Sequence, residues 1–469
     1  MNILKRKILV ILLAFAMVFT MMPLGTEISM AAESNWGGVA ISAKIGTDYS
    51  ITENKIAIKT EKGLAWFANA VNTSNDVAIS PSANVTLENN LDLVTPELVT
   101  GYNTNVTPGN SWIPIGTETV PFTGTFDGNG HTITGVKINS TSKYIGLFKY
   151  TSNANIKNLV VADSSFETTA TSEETIKGCG RPCIGGIVGY QIGGSISGCT
   201  VRGGSVQGSS NCLASYIGGI VGYSKNAKIE NCKNMGCAIS TTANDCKIGG
   251  IIGIGYIGTL SGATNTGTVT ISGAVNYGGG LMGGGNNFNI EDSHNDGIVS
   301  GSQARVDAAN LIGGLIGEYQ SGIIKNSYNT GAVTGRNTVV YGLVAYAYTG
   351  VKIQNCYNTG NLTSDDGDYQ VTVGGIARTN GSVMIDNCYN AGDIKVSSTE
   401  TKCGIAPYNG AATVKNCFYK KAPGLLGRTY GADIPTDTLG MEVLEMQNST
   451  LTKKLNKWVK AQPKADGYF

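Results

Sequence analysis

Asp127, Asn129 and His131 alternate with glycine in Asp127-Gly128-Asn129-Gly130-His131, so a carboxylate, an amide and an imidazole fall within five residues. Acid–base catalysis sets such groups against a nucleophile or a second acid. The sequence places neither nearby, so the segment reads as a structural turn. Sulfur is the next candidate. All 11 cysteines lie between Cys179 and Cys417. Five of them, Cys199, Cys232, Cys356, Cys388 and Cys417, hold one recurring position that Ala263, Ser293 and Ser327 also fill. The position therefore asks for a small side chain rather than a bridge. Stacked strands about 4.8 Å apart would bring the Cα atoms of successive cysteines into disulfide range. They would also keep the Cβ atoms further apart than a disulfide prefers. Buried thiols are the expectation there, while Cys179, Cys183, Cys212, Cys237 and Cys246 are placed for loop bridges, which export would permit. No Cys-x2-Cys pair exists, so no zinc site is expected. Asp365-Asp366-Gly367-Asp368 offers hard oxygens for calcium, but Ile376 stands where an EF-hand has its closing Glu. A solvated acidic turn is the reading, and neither a metal nor a cofactor is expected. No phosphate-binding Gly-x4-Gly-Lys-Ser/Thr run occurs.

The best binding hint is aromatic. Tyr328, Tyr357, Tyr389 and Phe418 recur at one position, and His294 takes it in an earlier copy. Facing outward, they would make an apolar strip for sugar rings or a protein partner. Facing inward, they would only pack.

What must position these residues is a repeat. Eight Gly-apolar steps begin at Gly186, Gly219, Gly250, Gly280, Gly314, Gly342, Gly375 and Gly404. Each is followed, 13 or 14 residues on, by the small position of an Ile-x-Asn-Cys-like strand: Cys199, Cys232, Ala263, Ser293, Ser327, Cys356, Cys388 and Cys417. Fixed internal spacing with slack between copies predicts stacked coils with variable loops. Each coil reads as about three short strands. The fold class predicted is all-β, a right-handed parallel β-helix of roughly ten coils and about 45–50 Å. Ile229, Ile290, Ile324, Ile353, Ile385 and Val414 should form an internal column. Asn231, Asn326, Asn355, Asn387 and Asn416 should form an amide ladder. The Asn-x-Gly turns should take their positive φ from glycine.

Composition agrees. Gly is 65 of 469 residues and charged residues are 14%, a balance that suits short strands and tight turns rather than a charge-rich disordered tail. Aromatic-rich first coils are read in Trp112 to Gly116, Phe122 to Ile133, Tyr144 to Phe148 and Ile156 to Leu159. Helix-like segments at Thr60 to Asn72, with Leu64, Phe67, Ala68 and Val71 on one face, and at Thr438 to Lys460 would cap the open ends. Residues 1–31 read as a secretory signal: Lys5, Arg6 and Lys7, then an apolar run from Ile8 to Met22, then Ser29-Met30-Ala31. The division expected is 1–31 signal, 32–110 N-terminal segment and cap, 111–420 repeats and 421–469 C-terminal cap. Loss of the signal takes the formal charge from +1 to −1, so no pull on nucleic acid or acidic membrane is expected. No membrane span is expected in the mature chain, and a monomer is expected.

The repeats resemble the GLUG-repeat proteins, secreted and surface proteins named for a Gly-Leu-x-Gly element. Gly186-Ile187-Val188-Gly189, Gly219-Ile220-Val221-Gly222 and Gly314-Leu315-Ile316-Gly317 carry the likeness. Phe122 to Ile133 and Leu455-Asn456-Lys457-Trp458 also look like that family. Tyr341-Gly342-Leu343-Val344-Ala345 and Gly375-Ile376-Ala377-Arg378 lose the final Gly. The resemblance implies an extracellular or surface repeat protein of the adhesin-like kind. It also implies kinship with regions beside the catalytic domain of IgA-specific metallo-endopeptidases. Those use a His-Glu-x-x-His helix, whereas His131 and His294 stand in unrelated contexts. The functional expectation is a secreted, non-catalytic adhesion or display protein whose partner is a glycan or a host or matrix protein. Two alternatives stay open: a polysaccharide-degrading β-helix enzyme (lyase or glycosidase), and an accessory region of a surface peptidase.

Overall fold

The computed structural model describes residues 43–53, 55–73, 80–94, 112–168, 181–208, 214–274, 276–302, 310–365, 372–396, 401–407, 411–427, 438–447 and 449–460. The expectations on the leader at 1–31, on Cys179 and Cys212, and on Asp366 to Asp368 lie outside them. The described chain is a parallel β-solenoid of about ten turns. Four sheets run along it, numbered first to fourth here, with 18, 12, 9 and 9 strands.

One coil shows the path. Cys183–Gly185 lies in the fourth sheet, Val188–Ile192 and Ser195–Ser197 in the first, Thr200–Arg202 in the second and Ser205–Gly208 in the third. Tyr216–Gly218 then opens the next coil in the fourth sheet. The sequence predicts about three strands per coil, and this coil has five short segments on four faces. The difference comes from the glycines, which turn corners where the sequence reading sees one continuous Gly-apolar strand. A Cβ on Gly219 would meet the Gly250 carbonyl oxygen at 2.1 Å, and one on Gly222 would meet the Ile184 nitrogen at 2.5 Å. Close backbone approach, rather than unusual φ, demands glycine there.

The internal column forms as predicted. Ile229 registers with Leu260, Leu260 with Ile290, Ile324 with Ile353, Ile353 with Ile385 and Ile385 with Val414. It extends back through Ile196, Ile156 and Phe126 to Val85. Each such burial contributes about 1.5–3 kcal/mol of transfer free energy, and all of these side chains are sealed from solvent. The early coils are filled by rings, with the Phe122 and Phe126 centroids 5.3 and 5.2 Å from that of Phe148.

The positive φ of the turns does not follow the expectation. The ladder asparagines themselves take it, at 54° for Asn231, 50° for Asn326, 54° for Asn355, 54° for Asn387 and 45° for Asn416. Asparagine tolerates the left-handed region because its short amide bonds locally. Gly236 does adopt positive φ, at 78°. Gly331 and Gly360 serve another need: a Cβ on either would stand 2.0 Å from a carbonyl oxygen of the preceding coil.

Helices close both ends of the stack. Helix α1, Glu61–Thr73, buries the predicted Leu64, Phe67, Ala68 and Val71. The Thr60 hydroxyl caps it by accepting the Gly63 N–H at 3.3 Å. The segment read as helical from Thr438 begins instead as a strand, Thr438–Met441, paired with Cys417–Lys420. An open sheet edge seeks a partner, and this strand supplies it before α2, Val443–Gln447, and α3, Ser449–Lys460.

Candidate functional site

The column of small residues is interior. Nine described cysteines are buried, and Cys199, Cys232, Cys356, Cys388 and Cys417 among them are free thiols. Cys183 and Cys237, read as bridge-forming, are also free thiols, and Cys246 is buried like them, because strands rather than loops carry or flank these positions and their side chains are enclosed. The repeated position has a further use. Its thiol or hydroxyl donates to the carbonyl two residues back: Cys388 to Asp386 at 3.1 Å, Cys417 to Lys415 at 3.1 Å, Ser327 to Lys325 at 2.8 Å and Ser293 to Glu291 at 2.7 Å. Cys and Ser therefore interchange as small donors that satisfy the strand end before the Asn turn.

Of the five residues predicted as an amide ladder, Asn326, Asn355, Asn387 and Asn416 form one on the outer edge, while Asn231 is separated from them because Gly262 and Asp292 take its place in the two intervening coils. Asn355 donates to Asn326 at 3.2 Å, Asn387 to Asn355 at 2.7 Å and Asn416 to Asn387 at 2.7 Å. Asn326 in turn donates to Asp292 at 3.0 Å. A second ladder, missed in the sequence, lies wholly inside. Asn265, Asn295, Asn329, Asn358 and Asn390 are 0% exposed. Asn329 Nδ2 donates to Asn358 Oδ1 at 2.7 Å and to the Gly331 carbonyl at 2.8 Å, and receives at its own Oδ1 from Asn295 at 2.8 Å. The signal was in view, because these are the asparagines of the Asn-x-Gly triplets. Their partners are the motif glycines: a Cβ on Gly314 would stand 2.4 Å from Asn329 Cγ.

The Tyr328 column faces outward. In each Tyr-Asn pair the asparagine points in and the tyrosine is half-buried on the outside. His294 stacks on Tyr328 at 4.7 Å, Tyr328 on Tyr357 at 4.7 Å and Tyr357 on Tyr389 at 4.9 Å, all within 6° of parallel. Phe418 is in register with Tyr389 but lies under Met441 and Leu451 of the C-terminal cap. Burial, then the neighbouring Tyr389, pushes the Tyr357 phenol up to about 12, so it remains a hydrogen-bond donor at neutral pH. Of the other candidates, Asp127 is held in its turn by Lys157 at 3.2 Å and by the Asn129 N–H at 2.9 Å. His131 reaches Asn90 at 3.4 Å.

A second aromatic row was not foreseen. Its elements are the outward residues of the fourth sheet, such as Tyr144, Tyr216, Lys247 and Tyr277, and those of the first, such as Tyr150, Tyr190, Tyr223 and Glu318. The two outer faces converge. A Cβ on Gly189 would meet the Ile145 nitrogen at 2.7 Å, and one on Gly283 the Ile248 nitrogen at 2.2 Å. The last Gly of each Gly-apolar-x-Gly step is thus the floor of a concave cleft between the sheets. Rings crowd its walls: Tyr190 on Tyr223 at 4.3 Å, Tyr150 on Tyr190 at 4.8 Å and Tyr144 against Tyr190 at 4.7 Å. At mid-cleft the Lys247 ammonium pairs with Glu318, their side chains 11% and 8% exposed, and Tyr348 donates to Glu318 at 3.2 Å. Burial first, then the charge of Arg181, pushes Lys247 down to about 8, with Asp245 opposing. The Glu318 carboxylate also favours the charged form, so the pair is ionised at neutral pH. No group of three or more potential metal ligands occurs among the described residues. No described helix is long and apolar enough to cross a membrane.

Fold and surface together define a β-solenoid repeat protein with aromatic rows on its outside. The GLUG motif matches it twice, at residues 180–207 and 308–334, which contain the steps at Gly186 and Gly314. No curated protein matches the chain. Among solved structures, one similar chain is a "putative immunoglobulin A1 protease" from Bacteroides ovatus. It is 17% identical, with a TM-score of 0.39, over 69% of this chain and 78% of that one.

Proposed function

We propose that this chain is a secreted, surface-type repeat protein without catalysis of its own, holding a ligand on a stiff solenoid in adhesion or display. The observation that supports this reading is the placement of aromatic side chains in register outside the core. Tyr328, Tyr357 and Tyr389 form one such row and the cleft tyrosines another. Core packing does not use these rings, and half-exposed tyrosine is a residue type that binding surfaces favour. The GLUG motif fits an extracellular or surface setting. The test is binding of the full chain to glycan and matrix-protein arrays, with Tyr328→Ser/Tyr357→Ser and Tyr190→Ser/Tyr223→Ser run in parallel. Binding to one class, weakened at least tenfold by one of the two variant pairs, is expected. A null result on both arrays would leave a structural role only.

One observation favours a polysaccharide-degrading enzyme as the second reading. Lys247 and Glu318 set an ammonium beside a carboxylate among tyrosines, and a lyase uses such a cation to stabilise the negative charge that develops on a uronate carboxylate when the neighbouring proton is removed. Release of unsaturated oligosaccharides from a polyuronate, abolished by Lys247→Met, would establish it.

A further inference from the structure

The cleft between the fourth and first sheets has a charge pattern as well as an aromatic one. Along it, four cations each stand over a tyrosine ring: Lys143 over Tyr144 at 4.9 Å, Arg181 over Tyr216 at 5.4 Å, Lys247 over Tyr277 at 4.6 Å and Arg378 over Tyr346 at 5.1 Å. Two are neutralised, Arg181 by Asp245 at 2.8 Å and Lys247 by Glu318. Lys143 and Arg378 have no carboxylate within ion-pair distance among the described residues. Glu118 adds a negative charge near Tyr144 and Tyr150, and Lys149 at the same end offsets it, so the cleft keeps a positive balance on a chain whose formal charge is only +1 and favours negative charge spread along a line.

The rings settle which kind of polyanion. Tyr190 and Tyr223 lie 2° from parallel at 4.3 Å, so each covers the face of the other. Nucleic-acid binding needs open ring faces on which bases stack. Here the faces are spent on neighbouring rings, and the cleft receives ring edges and phenol hydroxyls. Burial raises the phenols, Tyr216 to about 12 with Arg181 opposing, so they act as hydrogen-bond donors. Tyr150, Tyr190 and Tyr223 follow one another in three successive coils, about 4.8 Å apart. A ligand with a hydroxyl-bearing, negatively charged unit at each repeat answers both the donors and the cations.

We propose that this cleft binds an acidic polysaccharide of the polyuronate type along the solenoid axis, its carboxylates toward Lys143 and Arg378 and its hydroxyls toward the tyrosine row. The Tyr144 end opens into a cavity of about 390 Å³ whose lining includes Trp112, Pro114 and Lys149, which gives the polymer's end a pocket with a further cation. This deepens the ligand-holding reading above and rests on it.

The experiment is titration of the full chain with polygalacturonate, with the neutral glucan dextran and with oligo(dT), each at low and moderate salt. Polygalacturonate should bind, and salt should weaken it. Dextran and oligo(dT) should bind at least tenfold more weakly. Lys143→Gln/Arg378→Gln, at two half-exposed positions, should cost at least tenfold in affinity with the far-UV dichroism and thermal transition unchanged. Tyr190→Ser/Tyr223→Ser should do the same, and Lys395→Gln, at an exposed position of the third sheet, should change nothing. Equal binding of dextran, tighter binding of oligo(dT), or full affinity in both cleft variants overturns the proposal. If array binding is lost only in Tyr328→Ser/Tyr357→Ser, the ligand-holding reading survives and the cleft assignment falls.

Discussion

Asn329 and Asn326 stand three residues apart and do different work. Asn326 lies on the outer ladder at φ 50° and bonds through its amide to Asp292. Asn329 is sealed inside and joins three polar groups in a row. Asn329→Ala leaves the Asn295 amide, the Asn358 carbonyl oxygen and the Gly331 carbonyl each short of a partner, at about 1–3 kcal/mol apiece before relaxation. A loss of about 3 kcal/mol or more is expected. Asn326→Ala should cost about 1–2 kcal/mol, chiefly the left-handed backbone. Urea denaturation of the two variants checks this, and equal losses would contradict the internal ladder. The sequence made the outer ladder legible through the Ile-x-Asn-Cys strand. It hid the inner one because Asn-x-Gly reads first as a turn signal, and only the way the coils stack shows that Asn329 fills the space Gly314 leaves. The cation–tyrosine pairs were invisible for a similar reason, since Lys247 and Glu318 meet across coils that sequence spacing does not align.

At the scale of the element, the column of small residues was legible as a column, while its donor role was not. Repetition shows that Cys, Ser and Ala share a place. It does not show that the shared sulfur or oxygen reaches the carbonyl two residues back. The strand count was underestimated because Gly-Gly corners leave no polar residues to mark a turn. Buried thiols make the stack sensitive to alkali. Burial pushes Cys237 from its ordinary 9.0 up to about 12, and raises Cys199 and Cys388 as well. The folded state keeps these protons while the unfolded chain loses them, so this stabilisation is complete below about pH 9 and is lost as pH rises toward 12. Each such group should lower stability by about 1.4 kcal/mol per pH unit in its window. Urea midpoints measured from pH 8 to 11 should therefore fall steeply above 9. A flat profile would mean that the thiols are open to solvent. The capping helix α1 was legible from its apolar face, whereas the strand Thr438–Met441 was not, because only the unpaired edge of Cys417–Lys420 calls for it.

At the scale of the whole molecule, everything depends on equal positions of successive coils lying one above the next, which builds the interior columns and the outer rows at once. Asn155 and Lys352 are both exposed and belong to one outward column of the first sheet. Asn155 registers with Ser195, Ser195 with Lys228, Lys228 with Thr259, Thr259 with Asn289 and Ile323 with Lys352. Six steps of about 4.8 Å separate the two sites, about 29 Å in all. The direct measurement is the electron–electron distance between spin labels on Asn155→Cys and Lys352→Cys, in a chain carrying Cys179→Ser and Cys212→Ser, where the buried native thiols stay unlabelled. A single narrow distribution near about 29 Å is the predicted result, and a broad distribution, or one centred about 10 Å or more away, would contradict the stacking.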